Sequence, residues 1–206
     1  NIKQNRLEKV IGDFKIDTNK FIILLPGRLT KWKGQEIFIE ALNILKNKND
    51  IKPFVGIILG SDQGRKVYFK KLLSLVDRYR LNQDIIFAPF LKDMPLIYKI
   101  SNVVVSSSIE PEAFGRVSVE AQSMERPVIA SNIGGSKETI LNDKSGLLFE
   151  SGKAEALAEK LKEILSLDQM TLQSMGNEGR KNILKKFDIE RMCFSTFSEY
   201  KKLIQG

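Results

Sequence analysis

The 206 residues carry 33 Lys and Arg against 25 Asp and Glu, a formal charge of +8, and 42% of them are hydrophobic: enough for one substantial core, with a charge that suits phosphorylated ligands or an anionic membrane surface. No apolar run approaches a membrane span, a single Cys leaves no partner for an internal disulfide and fits a reducing compartment, and the lack of His removes any imidazole base or His metal site. The basic residues are scattered, as in KNKND and GRKNILKK, without interleaved stacking aromatics, which argues against a nucleic-acid partner.

The opening NIKQNRLEKV is polar and has neither an apolar signal region nor an initiator Met. The chain is therefore expected to carry no signal peptide and to be a processed or excised piece, with residues 1–16 as a connector. An α/β core is expected over 17–188. FIILL at 21–25 reads as a buried strand, and 35–46 as a helix with Ile37, Ala41, Leu42 and Leu45 inward. FVGIILG at 54–60 and DIIF at 84–87 read as strands, with a helix over 66–79 between them and a short one over 93–100 after them. NVVVSS at 102–107, PVIAS at 127–131 and GLLF at 146–149 complete the strands, with a helix over 115–124. Three helical stretches, 153–165, 170–185 and 190–204, close the chain. The last of these places Cys193, Phe194, Phe197, Tyr200 and Ile204 on one side, a face suited either to its own domain or to a second lobe. Alternation of this kind predicts a single Rossmann-like, doubly wound, mostly parallel sheet with helices on both faces.

The residues that packing does not demand fall just past the strands: Gly27-Arg28, Gly60-Ser61, Pro89-Phe90-Leu91, Ser106 to Glu112, and Ser131 to Gly135. In an open α/β sheet that edge is where ligands bind. In PGRLTKWKG, Arg28 at a strand exit and Lys33 at a helix entry form a candidate phosphate site, because the free N–H groups of a helix start already favour anions. Neither a Walker loop nor G-x-G-x-x-G is present. Trp32 reads either as a surface-packed indole or as a cover over that phosphate site. In EPEAFGRVSVEAQ, Val117, Ala121 and Met124 are placed toward the core and Arg116, Glu120 and Ser123 on another face. Glu112 reads equally as a helix cap or as a sugar ligand. Arg116 and Glu120 read equally as an i,i+4 pair worth ~0.2–0.5 kcal/mol or as part of a site in which the amides of Arg116 and Val117 meet a phosphate.

These segments resemble the carboxyl-terminal, donor-binding lobe of GT-B glycosyltransferases of family 4. The likeness covers roughly residues 20–185 and rests on GRL-x-x-x-KG, ILGS, IIFAPFLKD, the Glu-x7-Glu of EAFGRVSVE, ERPVIAS, GG-x-x-ET and SGLLF. It implies a retaining, metal-independent hexosyltransferase that uses a UDP- or GDP-sugar as a substrate and needs no cofactor. No D-x-D is present to hold a metal. Arg28 and Lys33 would hold the diphosphate, Glu112 the donor sugar and Glu120 the ribose. Phe114, Gly115, Arg116 and Val117 would shape the pocket, and main chain near Leu91 would meet the base. Gly27, Gly60, Gly134 and Gly135 would give the backbone room.

The amino-terminal acceptor lobe is absent from this sequence, so the fragment alone is expected to turn over little or nothing. Its acceptor would belong to envelope polysaccharide, lipopolysaccharide or glycolipid, and its location would be cytoplasmic with a peripheral contact at the inner membrane face. The rivals are a non-catalytic nucleotide-sugar-binding lobe and a nucleotide-sugar epimerase of the same architecture. One departure stands out: Glu125 occupies the position where the family usually has the Gly that ends the helix in a left-handed conformation, at a cost of about 1 kcal/mol for a side chain.

Overall fold

A computed structural model describes residues 2–205; Asn1 and Gly206, the outer ends of the expected connector and last helix, lie outside the described residues. Six strands form one parallel sheet: β1 (Phe21–Pro26), β2 (Phe54–Leu59), β3 (Ile85–Ala88), β4 (Val103–Ser106), β5 (Val128–Ser131) and β6 (Gly146–Phe149), in the order β3-β2-β1-β4-β5-β6. Every strand pair is parallel, with Leu24 facing both Ile57 of β2 and Val104 of β4. The strands are short, almost unbroken apolar runs because helices cover both faces, leaving no side for polar residues to face water.

The helices are α1 (Gln4–Asp13), α2 (Gln35–Lys46), α3 (Lys66–Arg78), α4 (Met94–Ile100), α5 (Arg116–Ser123), α6 (Ser136–Thr139), α7 (Ala154–Ser166), α8 (Gln169–Lys186) and α9 (Ile189–Gln205). One core cluster joins α2, α3 and α7 to the sheet through residues such as Phe38, Leu42, Leu72 and Leu161. The other joins α1, α4 and α5 to the opposite face through Val10, Ile97, Tyr98 and Ala121. Each fully buried Leu or Ile contributes about 1.5–3 kcal/mol through removal of apolar surface from water.

Four local expectations are revised. In α2, Phe38 and Ile39 are fully buried and Ile37 only partly, because the helix is covered by neighbouring helices as well as by the sheet. In α5, Ser118 and Gln122 are buried beside Ala121, while Val117 and Met124 are half-buried. Gln122 donates Nε2 to the carbonyls of Ser118 and Thr139 at 3.1 and 3.0 Å, while its buried Oε1 has no hydrogen-bond partner. The stretch read as a connector contains α1, whose Val10 enters the core while Leu7 and Ile11 pack against it; Arg6 pairs with Asp93 at the start of α4. Finally, the α9 face suited to packing is exposed among the described residues: Phe194, Phe197, Tyr200 and Ile204 are all exposed, as is Cys193.

Two loops matter most. Strand order reverses between β1 and β4, where the chain starts at the centre, moves out to β3 and returns to the other side. The loops leaving β1 (27–34) and β4 (107–115) therefore sit side by side at the crevice of an open α/β sheet. Ile109 N–H donates to the Trp32 carbonyl at 2.8 Å, and Ser107 Oγ lies 3.1 and 3.0 Å from the carbonyls of Lys33 and Gly34. That close approach requires Gly34: its φ is +71°, and a Cβ there would collide with the Ser107 carbonyl oxygen.

Candidate donor-binding site

A cavity of about 520 Å³ opens at this edge, on the α4–α5 face. Gly27, Arg28, Gly60, Arg116, Val117 and Glu120, all expected from sequence, line it together. Lys33 stands across Gly27 from it, where an added Cβ would meet the Lys33 side chain at 3.6 Å, and Glu112 pairs with Lys33 there. Lys33 Nζ donates to Glu112 Oε1 at 2.8 Å, and Ser108 Oγ donates to the same oxygen at 2.5 Å. Both members of the ion pair are largely shielded, with side-chain exposures of 13% and 19%. Trp32 is more than a surface indole: Lys33 Nζ lies 4.4 Å and the Arg28 guanidinium 5.8 Å from its ring centroid. The electron-rich ring face thus gathers both cations at the strand exit.

Glu112 is held by its backbone. The Gly135 N–H donates to the Glu112 carbonyl at 2.8 Å. Gly134 has φ +53°, and a Cβ there would stand 2.5 Å from the Glu112 carbonyl oxygen and 2.8 Å from its nitrogen. The glycine pair therefore lets the β5 loop press on the β4 loop. Phe114 packs edge-on against Phe187 at the end of α8, with ring centroids 5.5 Å apart. Gly115, in a left-handed conformation with φ +73°, turns the chain into α5. The amides of Arg116 and Val117 open that helix, where no earlier helical carbonyl reaches them, and they sit on the cavity wall.

Among the expected residues, Leu91, Phe114, Gly115, Gly134 and Gly135 do not line the cavity. The Leu91 side chain packs against the core under α4, and the preceding Phe90 lines the cavity in its place. The structure also supplies residues that sequence reasoning missed. Tyr98, 1% exposed, donates its hydroxyl to Glu120 Oε2 at 2.9 Å, while Arg116 Nε approaches Oε1 at 3.4 Å. Both carboxylate oxygens are thereby fixed. Burial, first, and then the Glu120 charge push the Tyr98 hydroxyl far above the ordinary tyrosine range, so it remains a donor. Gln35, 1% exposed, donates Nε2 to the Arg28 carbonyl at 2.8 Å and anchors the β1 loop. A lone hydroxyl within the apolar MPLIYKI was the only signal for Tyr98, and nothing in the pattern tied it to Glu120. Ser108 was flagged only as part of a polar strand exit.

Among the described residues, no group of three or more His, Cys, Asp and Glu side chains is placed to hold a metal ion. No described helix is long and apolar enough to cross a membrane.

Residues 8–182 match the sequence profile of the glycosyl transferases of group 1. The capsular polysaccharide biosynthesis glycosyltransferase CapM of Staphylococcus aureus is 29% identical over 188 residues, covering 90% of this chain and 47% of its own. A glycosyltransferase from Rickettsia africae superposes with a TM-score of 0.92 at 33% identity, over 100% of this chain and 54% of that one. HepE of Anabaena, solved in complex with UDP-glucose, superposes at 0.83 with 26% identity, over 96% of this chain and 54% of its own. The chain thus spans about half the length of these relatives.

Proposed function

The chain belongs to the glycosyl transferases of group 1, and from that premise we propose that it is the donor-binding half of a hexosyltransferase that uses a UDP- or GDP-sugar and keeps the anomeric configuration. The observation that carries this reading is that Arg28, Glu120 and the start of α5 line one hollow at the strand-order reversal, with the Lys33–Glu112 pair reached through Gly27 on its wall. A nucleoside diphosphate sugar suits that layout. Its diphosphate would lie against Arg28, Lys33 and the amides of Arg116 and Val117. Its ribose hydroxyls would donate to Glu120, already oriented by Tyr98 and Arg116. Its sugar would reach Glu112, whose second oxygen is available to accept from a hydroxyl.

In the reaction, the bond between the anomeric carbon and the β-phosphate oxygen breaks as a bond to the acceptor oxygen forms. The hydroxyl proton leaves with the departing diphosphate. Arg28, Lys33 and the helix start stabilise the charge that develops there, and on this reading no divalent cation is needed. The acceptor would be engaged by the other half of the enzyme. A part in polysaccharide or glycolipid synthesis at the cytoplasmic membrane face is consistent with the capsular relative and the positive charge.

Isothermal titration of the chain with UDP, GDP and their glucose and mannose esters tests donor binding, with saturation expected for one nucleotide. No heat from any of them at millimolar concentration overturns the proposal. In an enzyme restored with an amino-terminal half, transfer should persist in EDTA and fall with Glu112→Ala. Interconversion of free UDP-sugar without acceptor would instead identify an epimerase.

A further inference from the structure

A second hollow, a groove of about 750 Å³, lies on the α2–α3 face and shares no lining residue with the donor cavity. Lys31, Arg65, Lys66 and Lys71 line it, against one carboxylate, Glu36. Lys71 pairs with Glu36, while Lys31, Arg65 and Lys66 have no ion-pair partner among the described residues. At the start of α3, Arg65 makes no side-chain cap and the first turn holds no acidic residue, so the amides of Lys66 and Val67, two residues that line the groove, have no helical acceptor. Thr30, 7% exposed, also lines it, and its buried Oγ1 has no hydrogen-bond partner. Trp32, Tyr68 and the 86% exposed Val67 add apolar surface next to these donors.

We infer that this groove is a second anion site that takes a phosphate or diphosphate ester, separate from the donor. Three cations without an ion-pair partner and two amides without a helical acceptor match the charge and acceptor oxygens of a phosphoryl group. The aromatic and apolar wall suits a body attached to it. The site is wired to the donor loop: Tyr68 OH donates to Gln35 Oε1 at 3.2 Å, and Gln35 in turn holds the Arg28 carbonyl. An occupant beside Tyr68 therefore bears on the position of Arg28.

The test is an amide-resolved NMR titration of the chain with inorganic pyrophosphate after saturation with UDP. Amides of residues 31–33 and 65–68 should move along a saturable curve. A Lys31→Ala, Lys66→Ala double variant should bind about tenfold more weakly or worse, and Lys70→Ala, outside the groove, should bind as the parent does. No saturable movement at millimolar pyrophosphate, or an equal loss in Lys70→Ala, overturns the inference. Sedimentation with phosphatidylglycerol but not phosphatidylcholine vesicles, abolished in the double variant, would assign a lipid headgroup as the source. Pyrophosphate binding without vesicle binding would assign a soluble ester. If UDP leaves the amides around Arg28 and Glu120 unmoved while the groove responds, the proposed function fails and this site stands.

Discussion

Lys33 and Glu112, 79 residues apart in the chain, meet Nζ to Oε1 at 2.8 Å. They come from the loops after β1 and β4, the neighbouring strands at which the sheet order reverses. The pair holds a cation next to Gly27, which lines the hollow, and the same cation is the one proposed to turn toward a diphosphate.

Replacing Lys33 with Ala leaves a largely shielded carboxylate without its charge partner. Stability should fall by about 1–3 kcal/mol, the usual cost of losing a hydrogen bond to a charged group. UDP affinity should fall about tenfold or more if the ammonium also meets phosphate. Urea denaturation and calorimetric titration separate the two effects; full UDP affinity in the variant would remove Lys33 from the donor site.

Tyr98→Phe removes the hydroxyl that fixes Glu120 Oε2 while keeping the ring that packs under α5. Folding stability should drop by about 1 kcal/mol. Nucleotides with a ribose should bind several-fold more weakly, whereas inorganic pyrophosphate should bind as before. A loss shared equally by both ligands would contradict an effect routed through Glu120.

The raised Tyr98 hydroxyl makes stability depend on pH on the alkaline side. Its proton is held more tightly in the folded than in the unfolded chain, whose tyrosines titrate near 10. The stabilisation is therefore complete below pH 10 and is lost as pH rises above it, at about 1.4 kcal/mol per pH unit for this one group. Tyr68 is shifted the same way, chiefly by burial and then by Glu36. Denaturation midpoints measured from pH 8 upward should be level and then decline from about pH 10, and the decline should be shallower in Tyr98→Phe.

Glu125 closes α5 with φ +58°, the left-handed conformation that costs a side chain about 1–2 kcal/mol. Its exposed pairing with Arg180 at 3.7 Å returns little. Glu125→Gly should therefore raise stability by about 0.5–1 kcal/mol, visible as a higher melting temperature with donor binding unchanged. A lower melting temperature would mean that the pairing outweighs the backbone strain.

Much of the architecture could be read along the chain. FIILL, FVGIIL, VVVS and GLLF declare buried strands because a residue run too short and too apolar for a surface helix has to sit inside a covered sheet. The glycines and charges after β1, β2, β4 and β5 marked the edge where the hollow lies. Within helices, period alone misjudged depth: Val117 and Met124, placed toward the core, are half-buried, while Gln122 is fully buried with its Nε2 donating to a carbonyl of α6. Main chain near Leu91 is expected to meet a base; the Leu91 side chain is half-buried against the core and Phe90 lines the cavity.

Sequence by itself determined the kind and order of elements, since apolar period, strand length and glycine punctuation are local properties of the chain. Only tertiary structure decided which side chains meet, Lys33 with Glu112, Tyr98 under Glu120 and Gln35 on the Arg28 carbonyl, and that the apolar face of α9 is exposed among the described residues. Those contacts depend on strand order and on which face each crossover helix covers, and no window of neighbouring residues encodes either.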